Sequence, residues 1–256
     1  MPDAAIDISD LSHRYDQELV LRNVDLRIEP GEIFGFLGHN GAGKTTAVNI
    51  LTTLITPSSG SARVCGFDVV TQRDEVTSRI GYLPSEVRLY GHLSATENLE
   101  FFGRLSGVDN PRRAAAEALD YLDCADLGPL RLSTFSTGMR QRIGIAQAIV
   151  HRPQVLFLDE PTSGLDPVGV RQLRETILRL NADLGMTVFM NTHLLSEVSK
   201  VCTTIGVLNH GELIYKDSID ATNERFPDEA SLEDIYVRME DRGNGARDVA
   251  VGAARS

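Results

Sequence analysis

The segment GHNGAGKTT, residues 38–46, has the residue types and the spacing of a loop that binds phosphate. A glycine, four residues and then Gly-Lys-Thr allow the backbone N–H groups to point at phosphate oxygens. Lys44 can reach the β- and γ-phosphates of a nucleotide, and the Thr45 hydroxyl can bind Mg²⁺. The G-x-G-x-x-G pattern of dinucleotide-binding loops does not fit this segment.

The elements around this phosphate loop are those that such a loop needs. Residues 33–37 form a short apolar run that predicts a buried strand, and apolar residues recur at helical spacing from 47 to 54. A glycine-rich turn that binds nothing is the alternative, and the strand-loop-helix context argues against it. We therefore expect nucleotide contacts from Gly38, His39, Asn40, Gly41, Ala42, Gly43, Lys44, Thr45 and Thr46.

Two adjacent carboxylates, Asp159 and Glu160, follow the apolar run 155–158. A buried strand that ends in two carboxylates places both at the edge of an open α/β sheet, where such sheets bind ligands. Asp159 is suited to hold Mg²⁺, and Glu160 is suited to orient and polarise an attacking water. A solvated strand end is the alternative, and the phosphate loop on the same chain makes it the weaker one.

The remaining pattern alternates strands and helices, which indicates an α/β fold. Helices are predicted after a capping box at Ser94 and Glu97, from Asn110 to Leu122, from Ser136, and from 170 to 180. A strand is predicted over 186–190, and a hairpin at His210-Gly211 joins 205–208 to 212–215.

Composition narrows the possible partners. The chain has 256 residues, of which 25 are Lys or Arg and 36 are Asp or Glu, giving a net charge of −11. This balance argues against a nucleic acid as partner. No apolar run approaches the ~18 residues that span a bilayer. Three widely spaced cysteines, Cys65, Cys124 and Cys202, are expected to be buried free thiols in a reducing cytosol.

Four further segments match one family, in that family's order. FSTGMRQR, residues 135–142, resembles the ABC signature, and residues 163–166 after Asp159-Glu160-Pro-Thr resemble the family's D-loop. Thr192-His193 after an apolar strand resembles the switch histidine. Tyr15 lies where the family stacks an aromatic ring on adenine. From about residue 6 to 215, the chain therefore resembles the nucleotide-binding subunits of ABC transporters.

The resemblance implies a P-loop NTPase fold of ABC type, with a mixed-sheet core, an antiparallel β subdomain and a helical subdomain. Residues 1–84 and 151–215 would form the ATP-binding core, and 85–150 the helical signature subdomain. Residues 216–242 would form a C-terminal extension, and 243–256 a disordered tail. The implied activity is hydrolysis of ATP with Mg²⁺, with Glu160 and His193 as catalytic residues.

The resemblance also implies partners. In the family, the signature residues contact the γ-phosphate held by an opposite subunit. Ser136 and Gly138 would make this contact here. One phosphate loop and one signature per chain therefore require a second ATP-binding subunit, with a homodimer expected. An integral membrane transport subunit would hold the protein on the cytoplasmic, inner face of the plasma membrane.

Two departures from the family pattern refine these expectations. Phe135, Thr137 and Met139 replace the commonest signature residues, and this form is similar to ATPases of drug, antibiotic or polysaccharide exporters. Residues 231–239, SLEDIYVRM, also resemble the C-terminal helix of exporter-type cassettes. An exporter is therefore favoured over an importer, and over an ABC ATPase that acts on ribosomes or DNA.

The second departure is Ser85, which stands where the family has a glutamine that contacts Mg²⁺. A serine side chain is too short for this contact, so Ser85 is expected to act at most through a water. The apolar residues that follow are expected to receive the membrane subunit: Val87, Leu89, Tyr90, Leu93, Phe101 and Phe102.

Overall fold

The computed structural model describes residues 3–227, 229 and 231–238. Its strands are β1 (Ile6–Tyr15), β2 (Glu18–Ile28), β3 (Ile33–Leu37), β4 (Ser59–Val64), β5 (Phe67–Asp68), β6 (Ile80–Leu83), β7 (Val155–Asp159), β8 (Thr187–Asn191), β9 (Thr204–Asn209) and β10 (Glu212–Ser218). Its helices are α1 (Lys44–Leu51), α2 (Arg73–Thr77), α3 (Ala95–Leu105), α4 (Pro111–Tyr121), α5 (Thr137–Ile149), α6 (Pro167–Leu184), α7 (Leu195–Val201) and α8 (Ile219–Arg225), with a further helix at 232–238.

The strands form two sheets. An antiparallel sheet has the order β2-β1-β4-β5, and a six-stranded mixed sheet has the order β10-β9-β3-β8-β7-β6. The strands β3, β7 and β8 are parallel neighbours whose residues are all buried. Their continuous apolar sequences reflect this burial on both faces. The α/β fold with an antiparallel subdomain, a mixed sheet and helices is thus confirmed.

Aromatic rings fill the core between the two sheets and α1. Phe189 of β8 lies 5.3 Å from Phe34 and Phe36 of β3, and 5.5 Å from Phe157 of β7, measured between ring centroids. All four rings are almost fully buried. Offset and tilted ring pairs at this spacing are favourable. This packing fixes the central strands, and with them the positions of the residues at the strand ends.

The helix α3 begins where the sequence predicts it. Ser94 accepts a hydrogen bond from the Glu97 N–H, and the Glu97 carboxylate accepts one from the Ser94 N–H, which confirms the capping box at α3. Asn110 caps α4 and Ser136 caps α5, also as predicted. The helix α5 packs closely against the end of β6. A Cβ at Gly144 would come within 2.7 Å of the Leu83 side chain.

Several boundaries differ from the sequence prediction. The helix after the phosphate loop ends at Leu51, because Thr53 takes a left-handed backbone, and Leu54 is exposed rather than on a helical face. The helix predicted over 170–180 begins earlier, at Pro167, because Asp166 caps it. The hairpin at His210-Gly211 is confirmed, and β10 continues to Ser218, past the predicted end of the core at 215.

The prediction of three buried thiols was wrong for one of them. Cys124 and Cys202 are buried, whereas Cys65 is half-buried because it lies in the turn between β4 and β5 with φ of 52°. The tail proposed for 243–256 lies outside the described residues. Within the described ranges, no helix has the length and apolarity that a bilayer span requires.

A buried asparagine organises the loop before α3. The Asn98 side chain is fully buried, accepts from the Tyr90 N–H at 2.9 Å, and donates to the Tyr90 carbonyl at 3.1 Å and the Ser94 carbonyl at 3.0 Å. A buried amide that meets its partners in this way is costly to remove, because the partners lose their hydrogen bonds without gaining water.

The first prediction follows from Asn98. Asn98→Ala should destabilise the protein by about 2 kcal/mol. That loss corresponds to a fall in Tm of about 4–8 °C, which calorimetry can measure. Asn223→Ala, at an exposed position of α8, is the matched control and should leave Tm within about 2 °C of wild type. An equal Tm for both variants would show that the Asn98 hydrogen bonds do not hold this loop.

Candidate functional site

The phosphate loop is preformed around its lysine. The Lys44 side chain is only 6% exposed, and its Nζ donates to the Gly38 carbonyl at 2.6 Å and the His39 carbonyl at 3.1 Å. Gly43 caps α1 with φ of 107°, where a Cβ would lie 2.8 Å from the Val20 carbonyl. A side chain at this position would both strain and displace the loop. Thr45 is exposed in the first turn of α1.

The β9–β10 hairpin supports the loop from the side. The Gly211 N–H donates to the Ala42 carbonyl at 2.9 Å, and the His39 and His210 rings lie 4.8 Å apart. The His39 Nδ1 lies 2.8 Å from the Asn40 carbonyl, which identifies Nδ1 as a donor. The hairpin that the sequence predicts as a plain turn therefore helps to fix the phosphate-binding backbone.

Asp159 ends β7 as a buried carboxylate, 3% exposed. The Asn191 side chain, at the end of the neighbouring β8, donates to Asp159 Oδ1 at 2.5 Å. Burial raises the pKa of Asp159, and so does the charge of Glu160, while the hydrogen bond from Asn191 and the charge of Lys44 lower it. The influence of Lys44 shows that the loop and the strand end share one electrostatic environment.

Glu160 and His193 meet directly. His193 Nδ1 lies 2.7 Å from Glu160 Oε2, and the Glu160 N–H donates to the Asn191 carbonyl at 2.8 Å. Glu160 has φ of 48°, a left-handed backbone that turns its side chain away from the strand direction. The carboxylate and the histidine are 33 positions apart in the sequence, and the ends of β7 and β8 bring them together.

The donor set here fits a magnesium ion. Thr45 offers a hydroxyl and Asp159 a carboxylate, and hard oxygen donors are what Mg²⁺ prefers. Two further oxygens, Thr162 Oγ1 and Asn191 Oδ1, are buried without a hydrogen-bond partner among the described residues. Such unsatisfied oxygens, together with the desolvated Asp159, are compatible with a cation and its waters.

The signature segment lies at the start of α5. The Ser136 hydroxyl accepts from the Met139 N–H at 3.3 Å, which leaves its proton available to another acceptor. Ser136 and Gly138 line a groove of about 240 Å³ between α5 and the start of α6, near Leu165 and Asp166. No described hydrogen bond joins either residue to the phosphate loop of the same chain.

Ser85 is exposed in the loop after β6. It lines a cavity of about 320 Å³ together with Tyr82, Gly144 and Gln147. Its neighbour Glu86 forms an ion pair with Arg88 at 2.9 Å, and both side chains are largely exposed. Glu86 is therefore engaged at the surface in this structure rather than directed towards Asp159.

Tyr15 ends β1 with its ring 46% exposed. The ring packs edge-on against His13, with 4.6 Å between centroids. The exposed part of Tyr15 is available for stacking on a base.

Three residues near the site were missed by the sequence analysis. Asn191 could have been found, because it ends an apolar strand one position before Thr192-His193 and pairs in register with Asp159. Tyr82 gives no pattern signal, yet burial and the charge of Asp159 raise its pKa to about 12. Gln141 is buried within α5 and reaches the residue after Glu160.

Comparison with known proteins agrees with this geometry. The family model described as ABC transporter matches residues 21–163. A bacitracin transport ATP-binding protein of Bacillus licheniformis is 34% identical over 220 residues, covering 86% of this chain and 72% of the relative. A daunorubicin resistance ATP-binding protein of Streptomyces coeruleorubidus is 39% identical over 222 residues. The match covers 86% of this chain and 70% of the relative.

A solved structure extends the likeness to three dimensions. A dimeric ATP-binding cassette in a post-hydrolysis state, bound to ADP and phosphate, superposes with a TM-score of 0.75 at 25% identity, covering 84% of this chain and 98% of the other. The segment that the family model matches, residues 21–163, includes the phosphate loop, the signature segment and both carboxylates. The chain therefore belongs to the ABC transporter family, and it is an ATP-binding subunit that hydrolyses ATP.

Proposed function

We propose that this subunit drives an exporter, by closing on ATP as a head-to-tail pair of identical chains. The observation that carries the proposal is the contact between Glu160 and His193, 2.7 Å apart beside a preformed phosphate loop. This arrangement is suited to hold a water and a γ-phosphate together. The export direction is supported by the resistance function in the name of the daunorubicin relative and by the form of the signature segment.

The proposed chemistry assigns a step to each group. Lys44 exchanges two loop carbonyls for phosphate oxygens, which are stronger acceptors for an ammonium group. Thr45 and Asp159 would hold Mg²⁺, which neutralises charge on the phosphates. Glu160 accepts a hydrogen bond from the attacking water, orients it towards the γ-phosphate, and takes up its proton as the water oxygen bonds to phosphorus and the bond to ADP breaks. His193 holds the Glu160 carboxylate in place.

The second copy would complete each site. The Ser136 hydroxyl proton and the N-terminus of α5 are suited to the γ-phosphate of an opposite subunit. Support comes from the dimeric state of the structural relative. In the part of the chain that the structure describes, no hydrogen bond joins Ser136 to its own phosphate loop either. Closure then depends on ATP, because the γ-phosphate bridges Lys44 of one copy and Ser136 of the other.

The membrane partner would bind beside α3. Tyr90, Phe101 and Phe102 form what we call the aromatic patch, in which the Tyr90 ring lies 5.2 Å from Phe101 and 6.0 Å from Phe102. Tyr90 is 44% exposed and Phe101 36%, whereas Val87 and Leu89 pack against the core. The patch fits an apolar helix of a transmembrane subunit, which would keep the protein at the cytoplasmic face of the plasma membrane.

The second prediction tests the chemistry. Glu160→Gln should retain ATP binding and reduce hydrolysis by about 100-fold or more, because the amide cannot accept the proton of water. ATP-bound dimers of this variant should persist in gel filtration, whereas the chain without nucleotide should run as a monomer.

Lys44→Ala provides the contrasting variant. It should weaken ATP binding itself by about 10- to 100-fold, as calorimetric titration would show. Turnover of Glu160→Gln near the wild-type rate would remove Glu160 from its role, and a stable dimer without nucleotide would contradict closure by ATP.

The third prediction concerns the aromatic patch. Tyr90→Glu should leave the ATPase activity of the isolated subunit unchanged and weaken binding of the transmembrane subunit by about 30-fold, because it places a charge in an apolar contact. The measurement is partner-stimulated ATPase activity in reconstituted membranes. Leu54→Glu, an exposed position outside the patch, is the control. Loss of basal activity in Tyr90→Glu would indicate misfolding instead.

The fourth prediction concerns Ser85. Ser85→Gln should change ATP affinity by less than about twofold, because Thr45 and Asp159 remain to hold Mg²⁺ and a water can fill the remaining position. Partner-stimulated turnover should change modestly, by about threefold or less. Titration of ATP at saturating Mg²⁺ would measure the affinity, and ATPase assays in reconstituted membranes would measure the turnover. A crystal structure with Mg²⁺ bound directly to the Ser85 hydroxyl would refute this assignment.

A further inference from the structure

One buried side chain joins the signature segment to the residues around Glu160. Gln141 lies within α5 and is 6% exposed, and its Nε2 donates to the Pro161 carbonyl at 2.7 Å. Residues 160–163, here called the catalytic turn, follow directly from β7. A polar side chain buried at this depth is held in one position by its hydrogen bond, so the bond fixes the distance between α5 and the catalytic turn.

Glu160 is held from β8, by its N–H to the Asn191 carbonyl and by His193, whereas the catalytic turn has few restraints on the side that faces α5. The Glu160 carbonyl accepts from the Ser163 N–H at 3.0 Å, and the Thr162 carbonyl accepts from the Leu165 N–H at 3.2 Å. Both bonds are local to the turn. The described bond to the Pro161 carbonyl comes from Gln141, on a different element. A shift of α5 therefore acts on the peptide next to Glu160.

Packing supports the same link. A Cβ at Gly164 would lie 3.3 Å from the Thr137 side chain, and one at Gly138 would lie 3.7 Å from Leu165. The D-loop residues and the signature segment of one chain are thus in close approach. Close-packed neighbours move together rather than compress.

We propose that Gln141 is a positioning residue that couples the two ATP sites of a dimer. The inference rests on the proposed head-to-tail dimer. When the Ser136 end of α5 engages ATP on the opposite chain, the Gln141 bond to Pro161 sets the position of Glu160 in its own chain. One chain's signature segment thereby senses ATP in one site, and its Glu160 acts in the other.

Mixed dimers test where Gln141 acts. Wild-type chain at limiting concentration is mixed with an excess of the Glu160→Gln chain. Each active Glu160 then lies in a mixed dimer. The rate of hydrolysis per wild-type chain in this mixture is the reference. In the first arm, the limiting chain carries Gln141→Leu, which keeps the size of the side chain and removes the donor. In the second arm, the limiting chain is wild type and the excess chain carries both Glu160→Gln and Gln141→Leu.

The proposal requires hydrolysis at least about tenfold slower than the reference in the first arm and within about twofold of it in the second. A slow second arm with a normal first arm would mean that Gln141 only shapes the signature segment, and this overturns the proposal. Equal loss in both arms, or no loss in either, overturns it as well.

Two controls keep the result interpretable. Gln172→Leu makes the same chemical change at an exposed position that lines the same groove, and it should match the reference in both arms. The ATP affinity of the Gln141→Leu chain should equal that of wild type, since Lys44 is untouched. If Glu160→Gln chains with intact Gln141 form no ATP-dependent dimer, the proposed function itself fails, and the coupling fails with it.

Discussion

The constraint on which the site depends is the burial of a carboxylate at the end of a central strand. Asp159 is almost inaccessible to solvent, and Glu160 places a second negative charge beside it. A buried carboxylate is unfavourable unless hydrogen bonds and a cation compensate for its lost hydration. Asn191 supplies the hydrogen bond, and Lys44 supplies positive charge. The phosphate loop, the strand order β3-β8-β7 and the rings packed behind them serve to keep these groups together.

Hydrogen bonds within the phosphate loop and from the β9–β10 hairpin define the shape of the loop. Lys44 is held by two carbonyls of its own loop. The loop backbone stays fixed by the hairpin through Gly211 and by the left-handed Gly43. Binding energy is therefore not spent on ordering the loop.

Sequence reasoning found what depends on local pattern. The phosphate loop, the run ending in Asp159-Glu160 and the caps at Ser94 and Ser136 are each specified by residues close in the chain. It missed contacts between residues that are distant in the sequence and adjacent only in the folded chain. The Gln141 bond to Pro161 joins positions 20 residues apart, on different elements, and nothing in helical spacing marks a buried glutamine as a link. The end of α1 was misjudged for a similar reason, since a left-handed Thr53 overrides apolar spacing.

The helix α5 connects the regions that the function must coordinate. Its 13 residues span about 20 Å at 1.5 Å per residue. In the proposed dimer, Ser136 at its start would face the ATP of the opposite chain. Gln141 in its first half contacts the catalytic turn, and Gly144 lies against Leu83 just before Ser85. A Cβ at Gly144 would also meet Val87 at 2.9 Å, in the loop that leads to the aromatic patch. In the proposed complex, a membrane partner that moved that loop would act through α5 on both Ser136 and Pro161.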